Sequence, residues 1–429
     1  MDIFDDIVKP TLVLDEACAR HNIARMTEKA HRQGIRFRPH FKTHQSAVIG
    51  EWFRDEGVSC ITVSSVDMAA YFANHGWDDI TIAFPANLRQ MDDLSALARR
   101  VRLGLLVESV ESVAALRRGL NGSAAAWIKI DVGAGRTGIP WDQPEAVSEV
   151  LQAIRQSPNL EPCGLLTHAG NTYHARSQDE IRQIYDTSRQ RLQDLRSNVE
   201  TQNHASLHSV GDSPAGDKAH PDQIFEAGNL EIPLNSAGRA KETQDIASLP
   251  ESSGNPPVEK SRNFGLLQIS VGDTPACSVV NDLTGVDEIR PGNFVFYDAE
   301  QYLLGSCAWE DVAVAVACPV AALHPERQDV VIYGGAIHLS KDFMDFEGHP
   351  AYGLAALPEG DRWGSPIKGA FVRSLSQEHG IVHVPQPAFD KVRVGDLLFV
   401  IPAHSCLTVT ALGRYRTLSG EIIPTMNVE

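Results

Sequence analysis

The chain has 429 residues, of which 43% are hydrophobic, and its formal net charge is -17 at pH 7. This length and composition suffice for one large domain and a smaller one, each with its own core. The acidic balance argues against a nucleic-acid partner, because phosphate backbones attract clustered lysine and arginine, and it equally argues against docking on an anionic membrane.

The amino terminus is acidic and lacks the basic and apolar regions of a signal peptide. No stretch of sequence reaches the roughly 18 to 20 apolar residues that span a bilayer. The seven cysteines show no CxxC pairing, and we interpret most of them as buried or reduced thiols. We therefore expect a cytoplasmic protein with no membrane partner.

Apolar, β-branched runs alternate with amphipathic stretches over the first 300 residues. The runs predicted as strands are 35–39, 61–65, 80–84, 101–107, 127–132, 164–167, 266–271 and 288–290. The stretches predicted as helices are 17–33, 66–75, 89–100, 109–120, 144–156 and 178–195. Eight strands alternating with helices predict a (β/α)8 TIM barrel over residues 15–300, with a doubly wound parallel sheet as the alternative.

From about residue 302 the pattern changes to short strands separated by Gly and Pro turns. Strands are predicted at 312–316, 329–333, 371–375, 380–383 and 396–401. They indicate a second, mostly β domain made of residues 301–429 together with residues 1–14, whose strand 11–14 joins it. A polar segment without sustained periodicity, 197–261, is predicted to be a disordered insertion between the sixth and seventh barrel strands.

Polar side chains follow the ends of successive predicted strands. Lys42 comes after the first strand, and His168 and Tyr173 come after the sixth. The fifth strand ends in Asp131 and leads to a Gly-rich turn with Arg136. Enzymes with the (β/α)8 fold place their active sites at the C-terminal ends of the strands. This clustering favours the barrel over the doubly wound sheet and predicts the active site at that end.

Lys42 is the sharpest candidate for a reactive group. It follows a buried strand directly and is flanked by His40 and His44. Desolvation and neighbouring positive charge lower the pKa of a lysine and make its amine a nucleophile for carbonyl groups. A surface lysine at a strand end is the alternative, and spacing alone does not separate the two.

Two short glycine-bearing turns indicate an anion site. Gly272 and Thr274 follow the seventh predicted strand, and Gly292 and Asn293 follow the eighth. In barrels these two turns commonly build a phosphate site from backbone N–H groups. Arg136 could pair with another anionic oxygen of the same ligand, with an ordinary surface salt bridge as the alternative.

His404 and Cys406 form a candidate metal pair near the C-terminus. Two residues separated by one other residue on an extended strand point to the same side. Imidazole and thiolate together suit Zn²⁺, and two protein ligands leave coordination positions open for water or substrate. A buried histidine beside an unrelated core cysteine is the alternative.

Six ordered motifs together resemble the fold-type III pyridoxal-phosphate (PLP) enzymes that contain D-threonine aldolase and eukaryotic-type D-serine dehydratase. The matching segments are 38–44 (RPHFKTH), 129–138 (KIDVGAGRTG), 168–173 (HAGNTY), 272–275 (GDTP), 290–298 (RPGNFVFYD) and 404–406 (HSC). The resemblance covers the chain outside 197–261. It implies an alanine racemase-like barrel followed by a β-rich, metal-bearing domain.

The resemblance also implies roles for individual residues. Lys42 is expected to carry PLP as a Schiff base, and the cofactor is expected to contact Arg136, His168, Tyr173, Gly272, Thr274, Gly292 and Asn293. His404 and Cys406 are expected to bind Zn²⁺, with another divalent ion such as Mn²⁺ as the alternative. Many relatives have serine where this chain has Asp273, and we expect that carboxylate to point away from a phosphate.

By the same resemblance, His-x-Cys is typical of the dehydratases and His-x-Asp of the aldolases. The chain is therefore expected to be a PLP- and zinc-dependent lyase that converts D-serine, or a related D-3-hydroxy amino acid, to a 2-oxo acid and ammonia. Lys42 would remove the α-proton and the metal would help the β-hydroxyl leave. A D-threonine aldolase and a non-catalytic PLP carrier are the alternatives. Relatives of this fold imply a homodimer.

Overall fold

A computed structural model of the chain describes residues 4–209 and 266–428. Strand β1 (Thr11–Leu14) and helix α1 (Glu16–Arg32) precede a barrel of parallel strands. The barrel strands are β2 (Arg36–Phe37), β3 (Ile61–Val63), β4 (Asp79–Pro85), β5 (Arg102–Val107), β6 (Ala124–Asp131), β8 (Leu160–Leu166), β9 (Gln268–Val271) and β10 (Glu288–Ile289), with the short β7 (Ile139–Pro140) beside β6.

The eight strands are hydrogen-bonded in the order β2-β10-β9-β8-β6-β5-β4-β3. A parallel bridge between His40, just beyond β2, and Thr62 of β3 joins the two ends of this order. The predicted (β/α)8 barrel is confirmed, and all eight predicted strands overlap a strand of the structure. The C-terminal ends of the parallel strands therefore share one rim, where the polar side chains were expected.

Helices surround the barrel. They are α2 (Ala47–Asp55), α3 (Val66–Asn74), α4 (Met91–Ala98), α5 (Val110–Gly119), α6 (Pro144–Arg155) and α7 (Gln178–Ser209), with the short α8 (Thr274–Val279) and α9 (Ala299–Leu303) after the last two barrel strands. The side chains of Ser65 and Ser109 accept the backbone N–H groups of Met68 and Ser112 and so fix the starts of α3 and α5. Among the described helices between barrel strands, two short ones, α2 and α8, had no counterpart among the predicted helices.

Helix α7 corrects the predicted start of the insertion. The helix continues to Ser209, so residues 197–209 are helical and not part of an irregular segment. Val199 is fully buried, and Glu200 accepts a hydrogen bond from the backbone N–H of Leu267 at 3.0 Å. These contacts stabilise the C-terminal part of α7, although its polar composition is typical of a loop. The remainder of the predicted insertion, 210–261, lies outside the described residues.

The second sheet is mostly antiparallel, as predicted. The elements that follow the barrel are, in chain order, β11 (Val314–His324), β12 (Asp329–Tyr333), α10 (Ala336–Leu339), β13 (Met344–Phe346), β14 (His349–Ala351), β15 (Gly353–Glu359), β16 (Arg362–Leu375), β17 (His379–His383), β18 (Leu397–Pro402), α11 (Ser405–Leu412), β19 (Arg414–Thr417) and β20 (Ile422–Pro424). Strands β13 and β14 form a separate two-stranded hairpin, and the other strands belong to the second sheet. Strand β1 lies between β11 and β19, which confirms that the N-terminal strand joins this sheet. Because β12 pairs with both β11 and β17, six of these strands close into a ring.

The barrel and the second sheet belong to one compact unit and share one hydrophobic core. Helix α1 joins them: Asp15 caps its start by accepting from the N–H of Cys18, and Asn22 donates to the carbonyl oxygens of Val295 and Asp311. This packing brings the chain turn between β18 and α11 over the rim of the barrel. Within residues 4–209 and 266–428, no helix has the length and apolar character needed to cross a membrane.

Candidate active site

A cavity of about 330 Å³ lies at the C-terminal rim of the barrel. It is bounded by strand ends on the barrel side and by the start of α11 on the other. All of the residues predicted to contact a cofactor or a metal line it, namely Lys42, Arg136, His168, Tyr173, Gly272, Thr274, Gly292, Asn293, His404 and Cys406. The fold thus brings together residues that are more than 360 positions apart in the sequence.

Lys42 lies two residues beyond the bridge that closes the barrel, and its amine has no hydrogen bond or ion pair within the described chain. The neighbouring His40 ring accepts the backbone N–H of Lys42 through Nδ1 at 3.3 Å. Burial lowers the pKa of His40 well below its usual value, and the charges of Lys42 and Arg290 lower it further. His40 is therefore a neutral neighbour of the lysine.

His44 does not line this cavity. Its ring is fully buried, with its centroid 4.3 Å from that of Phe41 and 5.5 Å from that of Phe53. Burial lowers the pKa of His44 to about 3. The expectation that His44 adds positive charge beside Lys42 is wrong, because this histidine is an uncharged member of an aromatic core.

The turn after β6 presents Arg136 to the cavity. The Asp131 carboxylate accepts the backbone N–H groups of Gly133, Ala134 and Gly135 at 2.9 to 3.2 Å. Burial by itself would raise the pKa of Asp131, but these three hydrogen bonds outweigh it and the pKa is lowered. Gly135 has φ +68°, a conformation that glycine adopts without strain. The Arg136 guanidinium has no ion pair among the described residues, so its charge is available to a ligand.

His168 is held in one tautomer. Its Nδ1 donates to the carbonyl oxygen of Gly272, which leaves Nε2 without that proton. Burial lowers the pKa of His168 to about 3, and the charges of Arg136 and Lys42 add to the effect. The ring centroid of Tyr173 lies 6.0 Å from that of His168. A neutral histidine and a tyrosine therefore border the cavity beneath the end of β8.

Arg290 was given no role from the sequence, although it directly precedes the second glycine turn. Its buried guanidinium lines the cavity and donates to Ser270 Oγ at 2.7 Å and to the Thr167 carbonyl at 2.5 Å. Ser270 in turn donates to the buried carboxylate of Glu288 at 2.7 Å. Burial lowers the pKa of Arg290 to about 10, so it stays charged at neutral pH.

The two glycine turns form the far end of the cavity. Thr274 Oγ is buried and has no hydrogen-bond partner in the described part of the chain. Buried hydroxyls are almost always satisfied, so this one fits a site that receives a polar ligand. Gly292 is required by a close approach: a Cβ there would lie 2.8 Å from the His40 carbonyl oxygen. The residues at this end suit a phosphate group.

Asp273 lies inside the first of these turns. Its Oδ1 accepts the N–H of Ala276 at 2.8 Å, which caps α8, and the hydroxyl of Thr172 at 2.9 Å. Burial raises the pKa of Asp273 to about 6. One carboxylate oxygen is thus engaged at the start of the helix, although the residue also borders the cavity.

The metal pair lies at the start of a helix, which corrects the predicted extended strand. Strand β18 ends at Pro402, His404 is the residue that precedes α11, and Cys406 lies in its first turn. Burial would raise the pKa of Cys406, but the charge and hydrogen bond of His404 lower it overall. A helix N-terminus also favours a thiolate. The two side chains meet because the chain turns, and not because strand side chains alternate.

Asp298 is a further member of this region that sequence reasoning missed. Its buried carboxylate lies 3.4 Å from His404 Nδ1 and accepts the N–H of Ser405 at 3.0 Å and the amide of Asn293 at 2.5 Å. A carboxylate behind a histidine is the usual support of a metal-binding imidazole. The only sequence signal was its place at the end of the matching segment 290–298.

The donor set of the pair fits a metal with open positions. Within residues 4–209 and 266–428, no group of three or more His, Cys, Asp or Glu side chains could hold a metal ion. His404 and Cys406 are thus two candidate ligands, one fewer than the protein ligands of most catalytic zinc sites.

A second cavity of about 320 Å³ shares His404 and is also lined by Glu300, Lys341, Asp342 and Phe343.

A (β/α)8 barrel with a lysine beyond its first strand, glycine turns after its last two strands and a following β domain defines the alanine racemase-like class. The family model "Alanine racemase, N-terminal domain" matches residues 14–223. The model "Putative serine dehydratase domain" matches residues 313–418. The two matches fall on the barrel and on the second sheet.

Similar proteins extend over nearly the whole chain. D-threo-3-hydroxyaspartate dehydratase of Delftia sp. strain HT23 is 26% identical over 96% of this chain and 94% of its own length. D-serine dehydratase of Dictyostelium discoideum is 23% identical over 98% and 95%. The solved structure of a D-threo-3-hydroxyaspartate dehydratase mutant in a metal-free form superposes with a TM-score of 0.76 at 23% identity, covering 99% of each chain. The chain thus combines an alanine racemase N-terminal domain with a serine dehydratase domain, and its similar proteins are D-serine dehydratase, D-threo-3-hydroxyaspartate dehydratase and D-threonine aldolase.

Proposed function

We propose that the chain is a PLP-dependent lyase that dehydrates D-serine or a related D-3-hydroxy amino acid to a 2-oxo acid and ammonia. The observation that carries the proposal is that Lys42 and the His404–Cys406 pair line one cavity. An amine can then reach the α-carbon of the same substrate whose β-hydroxyl meets a metal. The Delftia and Dictyostelium relatives, both named as dehydratases, support this assignment.

The residues around the cavity fit PLP. Lys42 would hold the cofactor covalently, and Arg136, whose guanidinium has no ion pair in the described chain, would pair with an anionic ring oxygen. His168 and Tyr173 would border the ring. The phosphate would accept hydrogen bonds from the Thr274 hydroxyl, which has no partner in the described chain, and from backbone N–H groups of the two glycine turns. The residues of these turns that line the cavity are Gly272, Thr274, Gly292 and Asn293. When bound, PLP supplies an electron sink for the charge that develops at the α-carbon.

Lys42 is the group that would move the α-proton. General bases act best when they can take up a proton at the working pH and lie within reach of it. His40 and His168 stay uncharged at neutral pH because of their burial, so neither offers a proton to the lysine. The fixed charges of Arg136 and Arg290 make the cavity attractive to the carboxylate of an amino acid.

His404 and Cys406 would hold the metal, for which we propose Zn²⁺, with Mn²⁺ as the alternative. A divalent ion supplies a Lewis acid that stabilises the departing hydroxyl. Asp298 would orient the imidazole through Nδ1 and keep Nε2 directed at the ion. The solved structure named as a metal-free form of a D-threo-3-hydroxyaspartate dehydratase mutant supports a metal site in this chain as well.

Product analysis tests the proposal. Protein supplied with PLP and zinc is incubated with D-serine, D-threonine and D-threo-3-hydroxyaspartate, and with their L-enantiomers. We expect ammonia and a 2-oxo acid from at least one D-substrate and none from the L-forms. Glycine together with an aldehyde would identify an aldolase instead. Absence of turnover with all substrates would contradict a lyase and favour a PLP carrier.

We also propose a homodimer located in the cytoplasm. Phe84 borders the first cavity and Phe343 the second, and their exposed fractions are 58% and 63%. A second copy covering this face would bury them. All seven cysteines are free, which suits a reducing compartment. Sedimentation at two concentrations tests the dimer: a monomer at both would contradict it.

A further inference from the structure

The loop that carries Lys42 is tied to the helix that carries Cys406. Thr43 Oγ lies 3.2 Å from Cys406 Sγ, and both side chains are buried. Two residues further on, the Gln45 amide donates to Thr410 Oγ at 2.7 Å. Thr410 itself donates back to the carbonyl of Cys406 at 3.1 Å, so both contacts fall on the first turns of α11.

The same side chain of Gln45 also reaches back to the lysine. Its Nε2 donates to the Lys42 carbonyl at 3.0 Å, so one amide bridges the lysine loop and α11. The C-terminal segment closes the arrangement, because Met426 donates its N–H to the Gln45 carbonyl at 2.7 Å and Tyr415 donates its hydroxyl to the His44 carbonyl at 2.7 Å. These bonds leave the loop little freedom to move relative to the helix.

Gln45 has a left-handed backbone, with φ +52°. A residue other than glycine in this region costs about 1–3 kcal/mol and persists only where its surroundings fix it. Glycine would adopt the conformation freely, yet glycine has no amide to bridge Lys42 and Thr410. The chain therefore keeps a strained residue where its side chain joins two parts of the cavity.

We propose that Thr43 and Gln45 are positioning residues that set the separation between the Lys42 amine and the Cys406 thiolate. The inference rests on the proposed function, in which these two groups act on one substrate. The α-proton and the β-hydroxyl are on adjacent carbons, so base and metal must be held at a fixed spacing. A misplacement of about 1 Å can cost about 10²-fold in rate.

The first test removes the Thr43 hydroxyl while keeping its shape. In Thr43→Val with PLP and zinc, we expect dehydration of D-serine to fall by about 10- to 100-fold and zinc to be lost more readily to a chelator. Two properties of Lys42 should not change, namely the visible absorbance of bound PLP and the exchange of the α-proton of D-alanine in D₂O. D-Alanine has no β-hydroxyl, so its exchange does not require the metal.

Two variants sharpen this result. Thr43→Ser restores the hydroxyl and should restore both dehydration and zinc retention. Thr62→Val is the matched control: this fully buried hydroxyl donates to the Arg38 carbonyl at 3.0 Å and, within the described residues, makes no hydrogen bond to Lys42 or Cys406. We expect it to leave the ratio of dehydration to exchange unchanged.

The second test uses Gln45→Gly, which accepts the left-handed backbone and deletes the bridge, together with the hydrogen bond that Gln45 Oε1 accepts from the Asn427 amide at 3.3 Å. We expect the ratio of dehydration to α-proton exchange to fall about tenfold, by the same loss of alignment. Unchanged dehydration and zinc retention in Thr43→Val would overturn the inference. An equal fall of dehydration and exchange in Thr43→Val and Gln45→Gly would also overturn it, because the loss would then be general.

The Cys406→Ala variant distinguishes failure of the positioning inference from failure of the proposed function. If Cys406→Ala dehydrates D-serine in the presence of a chelator, the metal role in the proposed function fails. If Cys406→Ala is inactive while Thr43→Val behaves as wild type, the proposed function stands and only the positioning inference fails.

Discussion

The barrel side of the cavity collects its residues from separate strands, whereas the metal pair comes from a single turn between β18 and α11. Lys42, Arg136, His168 and Thr274 follow four different parallel strands. Parallel pairing brings the ends of all these strands to one rim, whatever their distance in sequence. Their placement is a property of the barrel as a whole.

The position of the His404–Cys406 pair depends instead on a few local contacts. His404 lies next to Asp298 and Cys406 next to Thr43, in the turn that joins β18 to α11. The difference suggests that cofactor binding and metal binding are separable: damage to the turn should remove the metal chemistry and leave the cofactor in place. The following variants test this separation, beginning with the largest expected effect.

Lys42→Ala should abolish both functions of the barrel side. Without the amine there is no covalent link to the cofactor and no base, so dehydration should fall by at least about 10³-fold. The visible absorbance of lysine-bound PLP should disappear as well. Ammonia release and absorbance are measured on the same samples, and retained absorbance would exclude Lys42 as the attachment site.

Cys406→Ala should separate the two sides. We expect dehydration of D-serine to fall by about 10²-fold or more, because a Lewis acid contributes several kcal/mol to the departure of the hydroxyl. The visible absorbance of PLP should be that of wild type. Full activity of this variant in a metal-free buffer would contradict the role assigned to the pair.

Asp298→Asn should weaken the support of the metal without removing a ligand. Asparagine keeps the cap of α9, where Asp298 accepts the N–H of Gln301 at 3.0 Å, but it offers no charge to His404. Zinc affinity should fall by about 10- to 100-fold, as measured by competition with a chromogenic chelator. An unchanged affinity would show that Asp298 serves the fold alone.

Asp273→Asn should change stability and its pH dependence. Burial raises the pKa of Asp273 to about 6 in the folded chain, above the ordinary value of 3.8. The folded state therefore binds this proton more tightly, and the stability present at low pH is lost as the pH rises from about 4 to about 6. Asparagine does not ionise and so avoids this loss. At pH 7 the free energy of unfolding of Asp273→Asn should therefore exceed that of wild type by about 1–3 kcal/mol.

Urea unfolding at pH 4 and pH 7 checks this prediction. The difference between Asp273→Asn and wild type should be present at pH 7 and nearly absent at pH 4. Asparagine is a matched change, because it caps helix starts as well as aspartate does and still accepts from Thr172 and Ala276. A destabilised variant at pH 7 would show that the charge of Asp273 is needed.

Hydrophobic periodicity was enough to predict the barrel and the strand 11–14, because a buried parallel strand requires an apolar run. Position after a strand end was enough to predict that Lys42, Arg136 and His168 share a cavity. Helix α11 was missed because its sequence, SCLTVTAL, is apolar and β-branched and resembles the continuation of β18. Helix α7 beyond residue 196 was missed because its composition is polar.

Other members of the site had no sequence signal of their own. The contact of Asp298 with His404 joins residues that are 106 positions apart. The bridge of Gln45 to Thr410 spans 365 positions and depends on a left-handed backbone that glutamine rarely adopts. Such roles depend on how the second sheet packs on the barrel, which no local pattern specifies.

The central claim is that one cavity combines a lysine-bound cofactor with a metal that only dehydration requires. It is tested most directly by following ammonia release from D-serine and the visible absorbance of PLP in the same protein, before chelation, after chelation and after zinc is restored. We expect chelation to stop ammonia release and to leave the absorbance unchanged, and we expect zinc to restore ammonia release. Ammonia release that continues at its full rate in the chelated protein would contradict it.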